Sequence, residues 1–301
     1  MTQTDERLRH EPGLARIIGT IEEIGSLPTI PVVAQRAMAI ARDEHSSMRE
    51  IANVIAQDHA LASAVLKVVN SAYYGLRQKV GTLPLALTIL GVREIMDLVL
   101  GIAIISAFPH APGDELFSRG ALWRASAQCA YAAKKLAHGI GLGRLGSEAF
   151  LGGLVRDIGL IVLDFYVHDE FTAVLRAARD EGLTALQAEA RHLGTTHASV
   201  GAWLAEKWAF PAPLVRAIAF HHAPAETPWD PPLTALVYLA GLIFRLYEQN
   251  ITEQQAAAIL EADETWRRLM ASGPPVRTPE VVPLLQAVGN EISAAPIIMS
   301  A

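Results

Sequence analysis

The sequence predicts an all-α protein, on three observations. The chain is 51% hydrophobic but only 6% aromatic, and alanine and leucine supply most of the apolar share. Those two residues lose little on entering a helix, whereas strands favour β-branched and aromatic side chains. Apolar residues recur at helical spacing, as in Leu61, Val65, Val68 and Ala72, and no run alternates as a half-buried strand would. Helix-starting and helix-stopping residues punctuate the chain throughout.

In order, residues 1–13 read as a loose tail, and a short amphipathic helix over 14–24 ends at Gly25. LPTIP follows as a proline-punctuated link to a helix over 32–42. Ser47 and Glu50 have capping-box spacing for a helix over 48–56. Asp58 caps the next helix and Gly75 stops it. Helices over 83–90 and 92–107 are separated at Gly91, and HAPGD marks a boundary. A long helix over 115–137 carries Trp123 and Tyr131; after HGIGLGRLG, Ser147 caps a helix through GGLVRDIGLIVLDFY. Core helices continue over 171–181, 186–192, 197–208, 213–221 and 233–247, and Thr278-Pro279-Glu280 opens a last one. The expected division is a tail (1–13), an N-terminal helical lobe (14–112), a helical bundle (113–250) and a C-terminal helical extension (251–301).

Net charge is -6, so no global attraction to nucleic acid or anionic lipid is expected. One cysteine, Cys129, cannot form an internal disulfide, which suits a reducing cytoplasm, and nothing beside it would activate a thiolate. The polar start MTQTDERLRH lacks signal-peptide character. The longest apolar run, over 98–108, is about 11 residues against the roughly 20 a membrane span needs.

Gly141, Gly143 and Gly146 match a dinucleotide fingerprint, but no strand precedes them, and an interhelical turn is the expectation. His197 begins one predicted helix and His221 and His222 end the next, so antiparallel packing would bring them together. With Asp157 they could hold a divalent metal, or they could be core and helix-terminal residues favoured by the helix dipole. Asn70, Ser71, Tyr73 and Tyr74 form a second polar spot, read either as backbone-bonding residues or as a partner contact.

LPTIPVVAQRAMAIARDEHSSMREIANVIAQDHALASAVLKVVNSAYYG resembles the opening of an HDOD domain. TLPLALTILGVREIMDLVL, LWRASAQCAYAAKKLA, EAFLGGLVRDIGLIVL and HASVGAWLAEKWAFPAPLVRAIAFHH continue the resemblance in order, over about 17–225. It implies an HD-like bundle related to the HD and HD-GYP phosphohydrolases, which hold metals with histidines and aspartates. Their pattern transfers in part. Ala125 stands where a first histidine is expected, Arg156-Asp157 replaces the His-Asp dyad, and Gly241 replaces a closing aspartate. Alanine and glycine offer no ligand atom, and arginine cannot give up its proton.

The expectation is a non-enzymatic bacterial regulator acting on other signalling proteins in trans. No cofactor, no bound metal, no nucleic acid and no membrane are expected. The relic pocket of Arg156, Asp157, His197, His221 and His222 is left without chemistry. The alternatives are a metal-dependent phosphohydrolase acting on a cyclic dinucleotide, and a metal-free sensor of an anionic small ligand held by Arg156.

Overall fold

The computed structural model describes residues 11–25, 27–41, 46–108, 116–227, 232–272 and 281–294. Among them there is no strand, and the fold is all-α as the composition predicts. No helix among these residues is long and apolar enough to cross a membrane. HAPGD and Thr278-Pro279-Glu280 lie largely or wholly outside the described residues.

The N-terminal part consists of α1 (Pro12–Ile24), α2 (Val32–Ala41), α3 (Met48–Ile55), α4 (His59–Val69) and α5 (Leu83–Ser106). Several ends follow the predicted chemistry. Gly25 takes a left-handed conformation after α1, Ser47 and Glu50 complete a capping box on α3, and Asp58 caps α4. α1 starts at Pro12, two residues before the predicted start, and Gly13 packs on the backbone of Leu193 and Gly194. Gly91, at φ 83° and ψ 161°, breaks the α5 path as predicted.

The remaining chain forms α6 (Arg119–Gly139), α7 (Gly146–Val155), α8 (Ile158–Tyr166), α9 (His168–Glu181), α10 (Ala185–Leu193), α11 (His197–Lys207), α12 (Ala212–Phe220) and α13 (Pro232–Glu248). Three C-terminal helices follow: α14 (Glu253–Ala262), α15 (Glu264–Ser272) and α16 (Val281–Ala294). The last of these lies along α6. Two predictions need correction. Ser147 does not cap α7, which begins at Gly146; its hydroxyl donates instead to Asp97 Oδ2. The segment read as one helix through GGLVRDIGLIVLDFY is two, broken at Arg156–Asp157. Gly141 and Gly143 lie in an interhelical turn that includes a 3₁₀ segment, Gly143–Leu145, and Gly146 opens α7.

One apolar core runs from Leu14 on α1 to Ile218 on α12, and so joins the N-terminal helices to the bundle. A second gathers α6, α7, α12, α13 and the C-terminal helices, from Cys129 to Ile292. The site lies within the bundle, where the α7–α8 break meets the start of α11 and the end of α12.

Candidate functional site

The break between α7 and α8 leaves Asp157 at the head of α8, at φ −99° and ψ 14°. This turns Asp157 away from the apolar stripe that an unbroken helix would have continued. Next to it, Gly159 lies against the first turn of α11: a Cβ there would overlap the carbonyl oxygen of His197, so the two helices cross at backbone contact. Thr196 caps α11 through Ser199 N and fixes where His197 begins. α12 ends at Phe220, and His221 and His222 follow at and just past its C-terminus.

The three histidines and the aspartate converge as the antiparallel argument predicts. His197 Nε2 lies 3.0 Å from His222 Nε2 and 3.5 Å from Asp157 Oδ1, and His221 Nε2 lies 3.2 Å from the same Oδ1. All four ligand-type atoms fall within 4.8 Å of one another. His197 and His221 are buried, at 3% and 2% exposure, while His222 and Asp157 are partly open.

Outside this centre, two hydrogen bonds fix the rings. Glu189 of α10, 1% exposed, accepts from the backbone N–H of His197 at 2.8 Å and from its Nδ1 at 2.8 Å. The carbonyl of Ile218 accepts from Nδ1 of His221 at 2.7 Å. Both rings therefore carry a proton on Nδ1 and aim Nε2 at the centre. Glu189 was missed by the sequence reading. The available signal was an acid on an otherwise apolar stripe, with Leu186 three residues before it and Leu193 four after.

The electrostatics follow from burial and the carboxylates. Burial alone would lower His197, but Glu189 and Asp157 raise it to about 9. Burial lowers His221, outweighing its bond to Asp157. Burial, then the neighbouring His221 and His197, take His222 down to about 2. Burial opposes ionisation of Asp157, yet Arg156 and the two histidine bonds hold it well below the usual carboxylate range. His221 Nε2 lies 3.2 Å from Asp157 Oδ1, at hydrogen-bonding distance.

Arg156 occupies the other side of Asp157. Its Nε donates to Oδ2 at 2.8 Å, and the residue is 8% exposed. A Cβ on Gly241 of α13 would overlap Arg156 Nη1, so the guanidinium fills the space a side chain would take there. Ala125 packs on α6 against the second apolar core and offers no donor. Of the positions the resemblance associates with metal binding, three thus present no ligand atom. The remaining four form one donor set of three imidazoles and a carboxylate. That set fits one divalent ion and does not extend to a second.

The other polar spot is structural in part. Asn70 donates to the carbonyls of Leu66 and Val80 and accepts from Val80 N–H, so its amide is used internally and clamps the loop. Ser71 Oγ is buried without a hydrogen-bond partner. Tyr74 donates to Glu94, and Tyr73 stacks at an angle on Tyr74 and Tyr131. Tyr73 and Tyr74, both half-buried, line a cleft of about 500 Å³ with Glu94, Asn290 and Glu291. Cys129 is buried, which pushes its thiol up to about 11 and leaves it inert.

Comparison with known proteins identifies the fold. The HDOD domain profile matches residues 27–224. The chain belongs to the HDOD family. An HDOD domain protein of unknown function from Geobacter sulfurreducens superposes with a TM-score of 0.77, at 23% identity, over 95% of this chain and 99% of that one. A provisionally assigned phosphohydrolase from Shewanella amazonensis SB2B gives 0.73 at 23% identity, over 94% of this chain and 97% of that one. A provisionally assigned signal transduction protein from Marinobacter aquaeolei VT8 gives 0.62 at 24%, over 89% of this chain and 60% of that one. At these identities the likeness is one of fold. An uncharacterized protein of Treponema pallidum (strain Nichols) is 25% identical over 242 residues, covering 80% of this chain. This HDOD chain spans 46% of that relative's length.

Proposed function

We propose that this protein is a regulatory HDOD module that acts by binding another protein and does not hydrolyse phosphoesters. The observation that carries the reading is Arg156. Its guanidinium is paired with Asp157 and packed onto Gly241, so a fixed cation stands where the hydrolases would place ligands. A hydrolytic metal has to present an activated water and polarise a phosphoryl oxygen. Here one flank of the only carboxylate in the donor set is committed to a guanidinium that cannot deprotonate. The kinship in fold with a provisionally assigned signal transduction protein points the same way. An anion sensor is less well supported, because a free anion would compete with Asp157 for a nearly buried Arg156.

The test is hydrolysis of a phosphate monoester, a phosphodiester and a cyclic dinucleotide by the full chain, with manganese, iron(II), zinc or magnesium supplied. No turnover above a His197→Ala control is expected. Metal-dependent turnover lost in that control would overturn the reading.

A further inference from the structure

We propose that the cleft between α5 and α16, beside α6, is the docking site for a partner protein, and that it takes an arginine side chain carried on an apolar segment of that partner. This deepens the reading above and rests on it: the protein that the regulatory module binds is given a contact chemistry.

Three parts of the chain build the cleft. Tyr73 and Tyr74 come from a 3₁₀ turn, Ala72–Tyr74, that follows α4. Ile89, Leu90 and Glu94 come from α5 on either side of the Gly91 break, and Glu291 comes from α16. The space, about 500 Å³, lies within the range of about 300–1,000 Å³ usual for binding pockets.

Charge is the first argument. Lys134 Nζ lies 2.6 Å from Glu94 Oε2 and 2.7 Å from Asp97 Oδ2, so one ammonium serves two carboxylates. Glu291 meets Lys135 through Oε1, at 3.2 Å. These five groups carry three negative charges and two positive, so the surplus is negative and an incoming cation balances it.

Unsatisfied polar atoms are the second. Glu291 Oε2 is buried and has no hydrogen-bond partner. Tyr131 of α6, 1% exposed, stacks on Tyr73 with ring centroids 4.5 Å apart, and its buried hydroxyl also has no partner. A buried carboxylate oxygen left unpaired costs the desolvation of that group. A donor brought into the cleft supplies the missing bond.

The aromatic wall and the apolar rim are the third, and they select the occupant. Tyr73 and Tyr74 meet edge to face, with centroids 4.8 Å apart. A planar guanidinium can lie on a tyrosine face while its N–H groups reach a carboxylate, and a compact ammonium is less suited to both at once. That favours arginine over lysine. Leu85 and Ile89, one turn apart on α5, are 44% and 47% exposed and continue the wall outward. A free cation would leave this rim in water, whereas an apolar segment around the arginine covers it.

The experiment pans a phage-displayed library of random peptides on the full chain. The expected result is enrichment of peptides with an arginine between apolar residues. The best of these, made synthetically, should bind at least about 10-fold more tightly than its citrulline version, which keeps the shape and loses the charge. Glu291→Gln should weaken binding of the arginine peptide by a similar factor, the effect of losing one hydrogen bond to a charged group. Ile89→Ser should also weaken it with circular dichroism unchanged, because the position is exposed; this variant decides the matter should Glu291→Gln fail to fold. No enrichment, enrichment of acidic peptides, or a peptide bound equally by the wild type and the folded variants overturns the site. Arginine amide or spermidine bound as tightly as the peptide overturns the protein occupant in favour of a small cation. A wild-type dimer in sedimentation that Ile89→Ser dissociates overturns it in favour of a second copy of the chain. None of these outcomes touches the non-hydrolytic reading, and metal-dependent phosphoester turnover would overturn that reading without moving the peptide result.

Discussion

At the level of single residues, Arg156 and Gly241 are one feature divided between two helices. Glycine in the middle of α13 costs about 1 kcal/mol relative to alanine, and here the missing side chain is the space that receives Nη1 of Arg156. Gly241→Ala should therefore destabilise the protein by about 1–3 kcal/mol, the usual cost of overpacking, despite the better helix former. In an Arg156→Ala background the same change should be neutral or stabilising. A double-mutant cycle by chemical denaturation should give a coupling of at least about 1 kcal/mol. Additive effects would show that the guanidinium does not lie against α13. The lost ligand positions were readable because alanine, arginine and glycine are chemically unlike what they replace. Glu189 was not readable in the same way: it lies eight residues before His197, and only the turn between α10 and α11 brings them together.

At the level of elements, the sequence announced most helix ends and was silent where tertiary contacts override local preference. Ser47, Asp58 and Gly25 act through bonds to their own segment, so their roles follow from spacing. Ser147 has a capping residue's chemistry but is drawn off by Asp97 of α5, which no local pattern reveals. The α7–α8 break contains neither proline nor an unusual glycine conformation, and it was read as continuous helix. The crossing of α8 and α11 makes the site depend on Gly159. Gly159→Ala would force α11 away by pressing on the His197 carbonyl, since neither side of that contact is a flexible side chain. The expected outcome is a lower melting temperature and faster amide exchange at the start of α11. An unchanged melting temperature and exchange in that variant would mean that the helices meet elsewhere. Asn70→Ala should cost about 1–3 kcal/mol by leaving the Val80 amide and carbonyl short of a partner. The loss is checked by chemical denaturation, and an unchanged midpoint would show that the clamp adds nothing.

At the scale of the whole molecule, the N-terminal helices are fastened to the bundle beside the site. Glu11 accepts from Thr195 Oγ1 at 2.6 Å and from Ser199 Oγ at 3.0 Å, on either side of His197. Trp208 Nε1 donates to the Pro28 carbonyl at 2.8 Å, and Arg16 pairs with Glu170 on the surface. The exposed Arg16 pair adds little. The Glu11 contacts count for more, because Thr195 is 2% exposed and its hydroxyl is left without that acceptor if Glu11 is removed. Trp123 and Trp203 lie in the core that includes α1, and Trp266 lies in the second core, which shares α6 and α7 with the first. Tryptophan fluorescence and far-ultraviolet dichroism should consequently report one unfolding transition with a common midpoint. Glu11→Ala should lower that midpoint in both signals by the equivalent of about 1–3 kcal/mol, and should speed amide exchange at the start of α11 more than in α13 or α16. If fluorescence and dichroism separate in the wild type, the N-terminal helices unfold on their own and the shared core does not couple the two parts. If they coincide but Glu11→Ala leaves the midpoint and the α11 exchange unchanged, the coupling runs through apolar packing alone, and the start of α11, with His197, is held without help from α1.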